Sequence, residues 1–255
     1  MRVVLYSAPG ADQPALQRVL EEGGLQVRHG RLRVGELDLR GTDCVVWACR
    51  ASMPHGSLVA EIDRYAAAVP IVLVSDRAAP AIEALSAIRF AGIVWRDDVP
   101  RRLVPSIREA VVHTRYRTMA RRVGAAQLPP LLTRALVLAL RTAGGEPIRK
   151  PAELAAALRC SPITLSQEFR RAVGGAFTLD DFLGAIQVMR VSQLRAVRTP
   201  WADVEDVVRF TVRSIRRKAT RWPGCTLKQL QMIDPGELRR RFEKERLARL
   251  LDCAS

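Results

Sequence analysis

The chain has 255 residues, 48% of them hydrophobic, and a formal net charge of +15 with a pI near 10.9. That length allows two domains with separate cores, and the charge predicts attraction to polyanions. No apolar run approaches the ~20 residues of a membrane helix, so no membrane partner is expected. The opening MRVVLYSAPG also lacks the basic and long apolar regions of a secretory leader.

The five cysteines, Cys44, Cys49, Cys160, Cys225 and Cys253, are odd in number and form no CxxC pair. They predict reduced thiols in a cytoplasmic protein, with neither a disulfide frame nor a zinc site. The three histidines lie far apart in sequence, so no metal and no cofactor is expected. No nucleophile–base pair, metal triad or phosphate-cradling glycine loop is present, and the chain is not expected to be an enzyme.

In chain order, Arg2–Ser7, Cys44–Cys49, Ile71–Ser75 and Gly92–Trp95 read as buried strands, with a weaker one at Gln26–His29. Helical patterns fall between them: Ala15–Glu22, roughly 58–67, Ala81–Ile88 and Arg101–Val112. Alternating βα units with near-continuously apolar strands predict a doubly wound parallel α/β sheet. Ligands in such sheets bind beyond the carboxyl ends of the strands.

This half resembles the receiver domain of response regulators. Asp43-Cys-Val-Val-Trp-Ala48 fits that family's third strand and Pro70-Ile-Val-Leu-Val-Ser75 its fourth. Ala91-Gly-Ile-Val-Trp-Arg96 and the following Asp98–Arg108 fit the fifth strand and last helix. The resemblance implies a flavodoxin-like fold over about the first 112 residues. It also locates the departures. Ser7, Ala8 and Pro9 stand where the family has an acidic pair, Ala48 where it has the phosphate-accepting aspartate, and Arg96 where it has a lysine. Ser75 fits the hydroxyl position. Without those carboxylates there is no oxygen cage for Mg²⁺ and no acyl phosphate. The half therefore reads as a pseudo-receiver: a dimerisation scaffold, or a small-molecule sensor using the same crevice. Asp76, Asp97 and Asp98 read as caps and surface charges.

Tyr116, Met119 and Val123 recur at helical spacing, so the last helix can continue over 107–123. Gly124–Pro130 reads as a hinge. Helices are then predicted at Leu131–Thr142, Pro151–Leu158 and Pro162–Val173, the last with Ser161 as N-cap and Pro162 at its first position. A long helix at Leu179–Val197 follows. After it come a helix opened by Thr199-Pro200 that carries Trp201, Val204 and Val208, and one at Val212–Trp222. Residues 128–230 hold 17 Lys and Arg against 8 Asp and Glu, so most of the basic excess lies here.

Two helix-turn-helix units bridged by a long helix resemble the DNA-binding domain of AraC/XylS-type transcription factors. The matching residues are Leu154-Ala-Ala-Ala-Leu158, Ser161-Pro162, Leu165, Phe169-Arg-Arg, Gly174 and Phe182 in the first unit. In the second they are Trp201, Asp203-Val204, Phe210, Arg221-Trp222, Gly224 and Thr226-Leu227. The resemblance implies that helices 162–173 and 212–222 enter the major groove of double-stranded DNA. Opposite the apolar seam of the first lie Ile163, Gln167, Arg170 and Arg171, flanked by Thr164 and Ser166. The second presents Arg213, Arg216, Arg217, Thr220 and Arg221, with Lys218 nearer the seam.

Arg159 and Arg209 replace the turn glycine of each unit, which predicts altered turns. Glu205 stands where a small residue permits close helix packing, and the second turn is shorter. The expected organisation is a receiver-like domain at 1–127, a tandem helix-turn-helix at 128–233 and an amphipathic helical tail at 234–255. The tail either docks on its own chain or forms a dimer contact. The expected function is sequence-specific regulation of transcription, with a homodimer possible through the first domain. The alternative is a protein-assembly module with residual, non-specific DNA binding.

Overall fold

The computed structural model describes residues 1–7, 12–30, 39, 41–49, 69–77, 90–197 and 199–252. By its internal contacts the chain divides into two units, Met1–Thr114 and Arg115–Ser255.

In the first unit, β1 (Arg2–Ser7), β2 (Gln26–His29), β3 (Cys44–Ala48), β4 (Ile71–Ser75) and β5 (Gly92–Trp95) form one sheet in the order β2-β1-β3-β4-β5. Every pairing is parallel. Val3 lies opposite both Val27 and Cys44, Val46 opposite Val72, and Leu73 opposite Ile93. The order turns at β1 and β3, so the sheet grows outward in both directions, the doubly wound arrangement. β3 and β4 are buried at every position. A parallel sheet covered on both faces has no solvent side, so its strands read as unbroken apolar runs. β2 lies at the edge, is mostly exposed, and carries Gln26, Arg28 and His29.

α1 (Gln13–Glu22) buries Leu16 and Leu20, and Asp12 caps it by accepting from the Ala15 N–H. α2 (Val99–Gly124) contributes Val99, Leu103, Ile107, Ala110 and Val111 to the core around Val3, Leu5, Val46, Val72 and Val94. The two helices approach closely at Gly23, where a Cβ would stand 2.5 Å from Val104 Cγ2. Arg108 donates to the Gly23 carbonyl at 2.8 Å. The helices expected near 58–67 and at Ala81–Ile88 lie outside the described residues.

α2 runs unbroken to Gly124, and the boundary between the units falls inside it, ahead of the Gly124–Pro130 stretch. Its later turns bury Tyr116, Met119, Ala120 and Val123. Tyr116 meets Gln193 and lies near Arg190, and Arg122 pairs with Glu243 at 3.4 Å.

The second unit is helical: α3 (Pro130–Thr142), α4 (Pro151–Ala157), α5 (Pro162–Ala172), α6 (Leu179–Ala196), α7 (Trp201–Val208), α8 (Val212–Arg221), α9 (Leu227–Met232) and α10 (Pro235–Phe242). A π turn at Glu243–Leu247 and α11 (Ala248–Asp252) close it. α6 is the central element. Every residue from Phe182 to Ser192 is buried, the pattern of a helix surrounded by others. Thr178 and Asp181 form a capping box at its start, with backbone-to-side-chain bonds of 2.9 and 3.1 Å.

A run of aromatic rings links the unit. Phe169 of α5 meets Phe177 and Phe182 at centroid separations of 5.6 and 5.7 Å. Phe182 meets Phe242 at 5.3 Å, and Phe242 meets Trp222, just after α8, at 6.0 Å. Residues 235–252 thus pack into the same core as the helix pairs, burying Leu238, Phe242, Leu247 and Leu250. Among the described residues no helix is long and apolar enough to cross a membrane.

Candidate nucleic-acid interface

The first helix pair is α4 and α5. Leu154 and Ala155 of α4 and Leu165 and Phe169 of α5 are buried, which fixes the rotation of α5 about its axis. That rotation leaves Ile163, Thr164, Gln167, Arg170 and Arg171 exposed and Ser166 half-buried. Ile163 is 70% exposed, far more than its apolar side chain alone would favour. Ala172, one turn beyond Phe169, is half-buried. Ser161 stands at the N-cap position, but its side chain makes no capping bond.

The turn between α4 and α5 departs from the sequence expectation. Arg159 adopts the left-handed conformation, φ 55°, that a glycine would take there. The Arg159 N–H donates to the Ala156 carbonyl at 3.1 Å and the Cys160 N–H to the Ala155 carbonyl at 3.0 Å. This is the Schellman arrangement, which satisfies the last carbonyls of a helix. Arginine here adopts a conformation for which glycine is the usual residue.

α7 and α8 form the second pair, and Arg209 likewise sits at φ 53°. It pairs with Glu146 at 2.9 Å. Glu205, which the sequence casts as an obstacle to packing, has another role. It is half-buried and its carboxylate accepts the N–H of Val212, the first residue of α8. A carboxylate suits a helix N-terminus because the orphan N–H groups carry partial positive charge there. Thr211 supplies the cap, accepting from the Ser214 N–H at 3.3 Å.

α8 buries Ile215 and Ala219, and Trp222 follows them inward. Arg213, Arg216, Arg217 and Thr220 are exposed, and the Thr220 hydroxyl donates to the Arg216 carbonyl at 3.1 Å. Arg221 is exposed as well, and it pairs with α6 through Asp181 at 2.5 Å and Asp180 at 3.7 Å. Burial raises the Asp181 pKa, but the Thr178 N–H and hydroxyl and the charges of Arg221 and Arg246 outweigh it. The carboxyl is held below its usual range.

At the carboxyl edge of the sheet in the first unit, Ala48 ends β3, fully buried and opposite Ser7. The Ser7 hydroxyl donates to Gln13 at 2.8 Å. Gln13 meets His29 at 2.7 Å, and His29 meets Gln17 at 2.9 Å. Ser75 is buried beside Cys49, whose thiol burial pushes upward in pKa against the hydrogen bond from Ser75 and the charge of Arg96. Asp76, which follows β4, is engaged by Arg96 at 2.7 Å, and Asp98 by Arg77 at 3.0 Å. Among the described residues no group of three or more His, Cys, Asp or Glu side chains is placed to hold a metal.

No protein-family model matches the chain. No curated protein matches it either. Among solved structures it is similar to full-length FixJ from B. japonicum, with 17% identity over 91% of this chain and 98% of that one and a TM-score of 0.35. It is also similar to RcsB from Salmonella enterica serovar Typhimurium bound to promoter rprA, with 19% identity, 68% and 91% coverage and a TM-score of 0.31. A third is the response regulator ChrA of a heme-sensing two-component system, with 18% identity, 68% and 88% coverage and a TM-score of 0.25.

Proposed function

We propose that the chain is a sequence-specific regulator of transcription that binds double-stranded DNA through a tandem helix-turn-helix of the AraC/XylS type. The observation that carries this reading is the repeated geometry of the second unit. Two helix pairs turn through the same left-handed conformation, and both are anchored on the buried α6. Each turns a polar, basic helix face to solvent.

α5 reads base edges in one major groove and α8 lies in the next. Gln167 suits adenine, which offers a donor and an acceptor side by side, and Arg170 suits guanine, which offers two acceptors. Arg171, Arg213, Arg216 and Arg217 contact guanine or phosphate. Ser166 and Thr164 flank the reading face, and Thr220 and Arg221 lie on that of α8, Arg221 steadied by its pairing with α6.

The first unit serves as a receiver-like module that aspartyl phosphorylation does not switch. A methyl group at Ala48 offers no oxygen to phosphorylate, and Asp76 nearby is engaged by Arg96. Two copies joined through this unit double the basic footprint.

The test is substitution within α5. Gln167→Ala and Arg170→Ala should each cost ~1–3 kcal/mol at particular base pairs while leaving other positions of the site unaffected. An equal loss on every sequence would reduce these residues to phosphate contacts.

A further inference from the structure

An open cleft of about 440 Å³ lies between the two helix pairs. Arg149 and Lys150, just ahead of α4, form one side. Phe210, Arg217 and Lys218 of the second pair form the other, and Asp180 at the start of α6 lies on the floor. Pro162 and Ser214 also line it, so the cleft borders the first turn of both α5 and α8.

The cleft is built rather than incidental. Its first side is fixed from below by buried Gln187, which donates to the carbonyls of Ile148 at 2.7 Å and Arg149 at 3.1 Å. Glu153 holds the Arg149 guanidinium at 2.7 Å. Lys218 is half-buried, with its ammonium 5.0 Å from the centre of the Phe210 ring. Its stem lies over Gly184, where a Cβ would stand 3.8 Å from the ammonium.

This is a costly place for an ammonium. Burial pushes its pKa down, and Arg217 and Arg221 push it further, against the opposing charges of Asp180 and Asp181. Asp180 itself is shared with Arg221. With Arg149 paired to Glu153, Lys150, Arg217 and Lys218 still face one shared carboxylate and leave a surplus of positive charge in a partly dried cleft. An anion seated there relieves it.

We propose that this cleft seats a phosphate of the DNA backbone where the duplex passes from the groove read by α5 to the groove read by α8. This rests on the DNA-binding reading and adds to it a sequence-independent contact. Phosphate contacts fix register and orientation without reading sequence, so this seat sets the spacing of the two elements the helices read. Lys150, Lys218 and Arg149 thereby join the interface.

The experiment uses the full chain and a duplex carrying its preferred sequence. The wild type is compared with a Lys150→Ala, Lys218→Met double variant. Methionine keeps the stem that packs on Phe210 and Gly184. The log–log salt dependence of the variant should be shallower by about 0.9 for each seated phosphate, roughly a threefold smaller loss of affinity between 50 and 200 mM salt. Its base preferences should be unchanged. A methylphosphonate placed singly along the spacer between the two elements should weaken the wild type at one or two positions and leave the variant unaffected there.

Equal salt slopes and equal methylphosphonate profiles, with the wild type binding normally, would overturn the cleft and leave the DNA-binding reading standing. A wild type that prefers no DNA sequence would overturn both. Should Lys218→Met lower the melting temperature sharply, Lys150→Ala alone, at an exposed position outside both recognition helices, gives the same slope readout.

Discussion

Arg159 and Arg209 hold the same left-handed backbone conformation, φ 55° and 53°, each at the end of the first helix of its pair. The end of α5 closes in the same way with glycine. Gly174 sits at φ 58°, its N–H donates to the Arg171 carbonyl, and the Gly175 N–H donates to the Arg170 carbonyl. For a residue with a Cβ this conformation costs roughly 1–2 kcal/mol. Glycine avoids that cost but loses ~0.5–1 kcal/mol through its greater freedom when unfolded. Arg159→Gly should therefore stabilise the second unit by about 0.5–1 kcal/mol in chemical denaturation. Destabilisation would mean that the Arg159 side chain makes a contact worth more than the strain. Arg209→Gly is the less clean case, because it also removes the exposed ion pair with Glu146.

Phe242 joins the tail to α6 and to the second helix pair. It is fully buried and meets Phe182 on one side and Trp222 on the other. The neighbouring Glu245 carboxylate accepts from Trp222 Nε1 at 2.9 Å. Phe242→Ala should cost about 3–5 kcal/mol, the range for emptying a buried aromatic site. Denaturant titration measures it, and a loss below ~1 kcal/mol would show that the tail is not part of this core.

Asp181 makes the second unit sensitive to acid. Its folded pKa lies below the unfolded value of roughly 4, so its contribution is fully present above that value and is lost as pH falls through the folded pKa. Melting temperatures recorded from pH 6 down to pH 3 should fall most steeply below about pH 4. Asp181→Asn should be less stable at neutral pH and decline less on acidification, with Glu153 and Glu245, also held low, supplying the remaining slope. Parallel curves for the two proteins would remove Asp181 as a source of acid sensitivity.

Ile163 is an apolar side chain on an otherwise polar face. In a major groove its natural neighbour is the C5-methyl of thymine, since apolar contact with that methyl is a form of direct readout. Replacing one thymine of the preferred site by deoxyuridine should weaken the wild type by about 1 kcal/mol, toward the low end for a base contact. The same change should have little effect on Ile163→Ala. If every thymine tolerates the change equally in both proteins, Ile163 is not a base reader.

Much of the fold is legible in the sequence. β1 and β4 stand at the predicted residues because buried parallel strands declare themselves as short apolar runs; β5 also stands where expected, but it is an edge strand and of its four residues only Val94 is buried. β3 ends one residue earlier than expected, at Ala48, although the Cys49 N–H still donates to the Val74 carbonyl. The inward faces of α5 and α8 follow from Leu165, Phe169, Ile215 and Ala219 at helical spacing. The arginine turns are not legible, because residue preference points away from a conformation that the surrounding helices impose. Nor is the cleft, which exists only where α4, α5, α6 and α8 converge. Its residues are scattered from Arg149 to Lys218, and the local signal at Lys218 was only its nearness to an apolar seam. The pairing of Arg221 with α6 has a faint trace in the Asp180-Asp181 pair that opens that helix.

The central claim is that two basic helices read sequence together. Selecting bound sequences from random duplex DNA with the full chain at ~150 mM salt, where non-specific binding weakens, tests it most directly. Two helices that read together should recover a recurrent motif with two elements about one helical turn apart, and Gln167→Ala should lose part of that motif. Recovery of no enriched sequence, with residual binding that fades as salt rises, would contradict it. The chain would then be a basic module whose specificity lies in a protein partner.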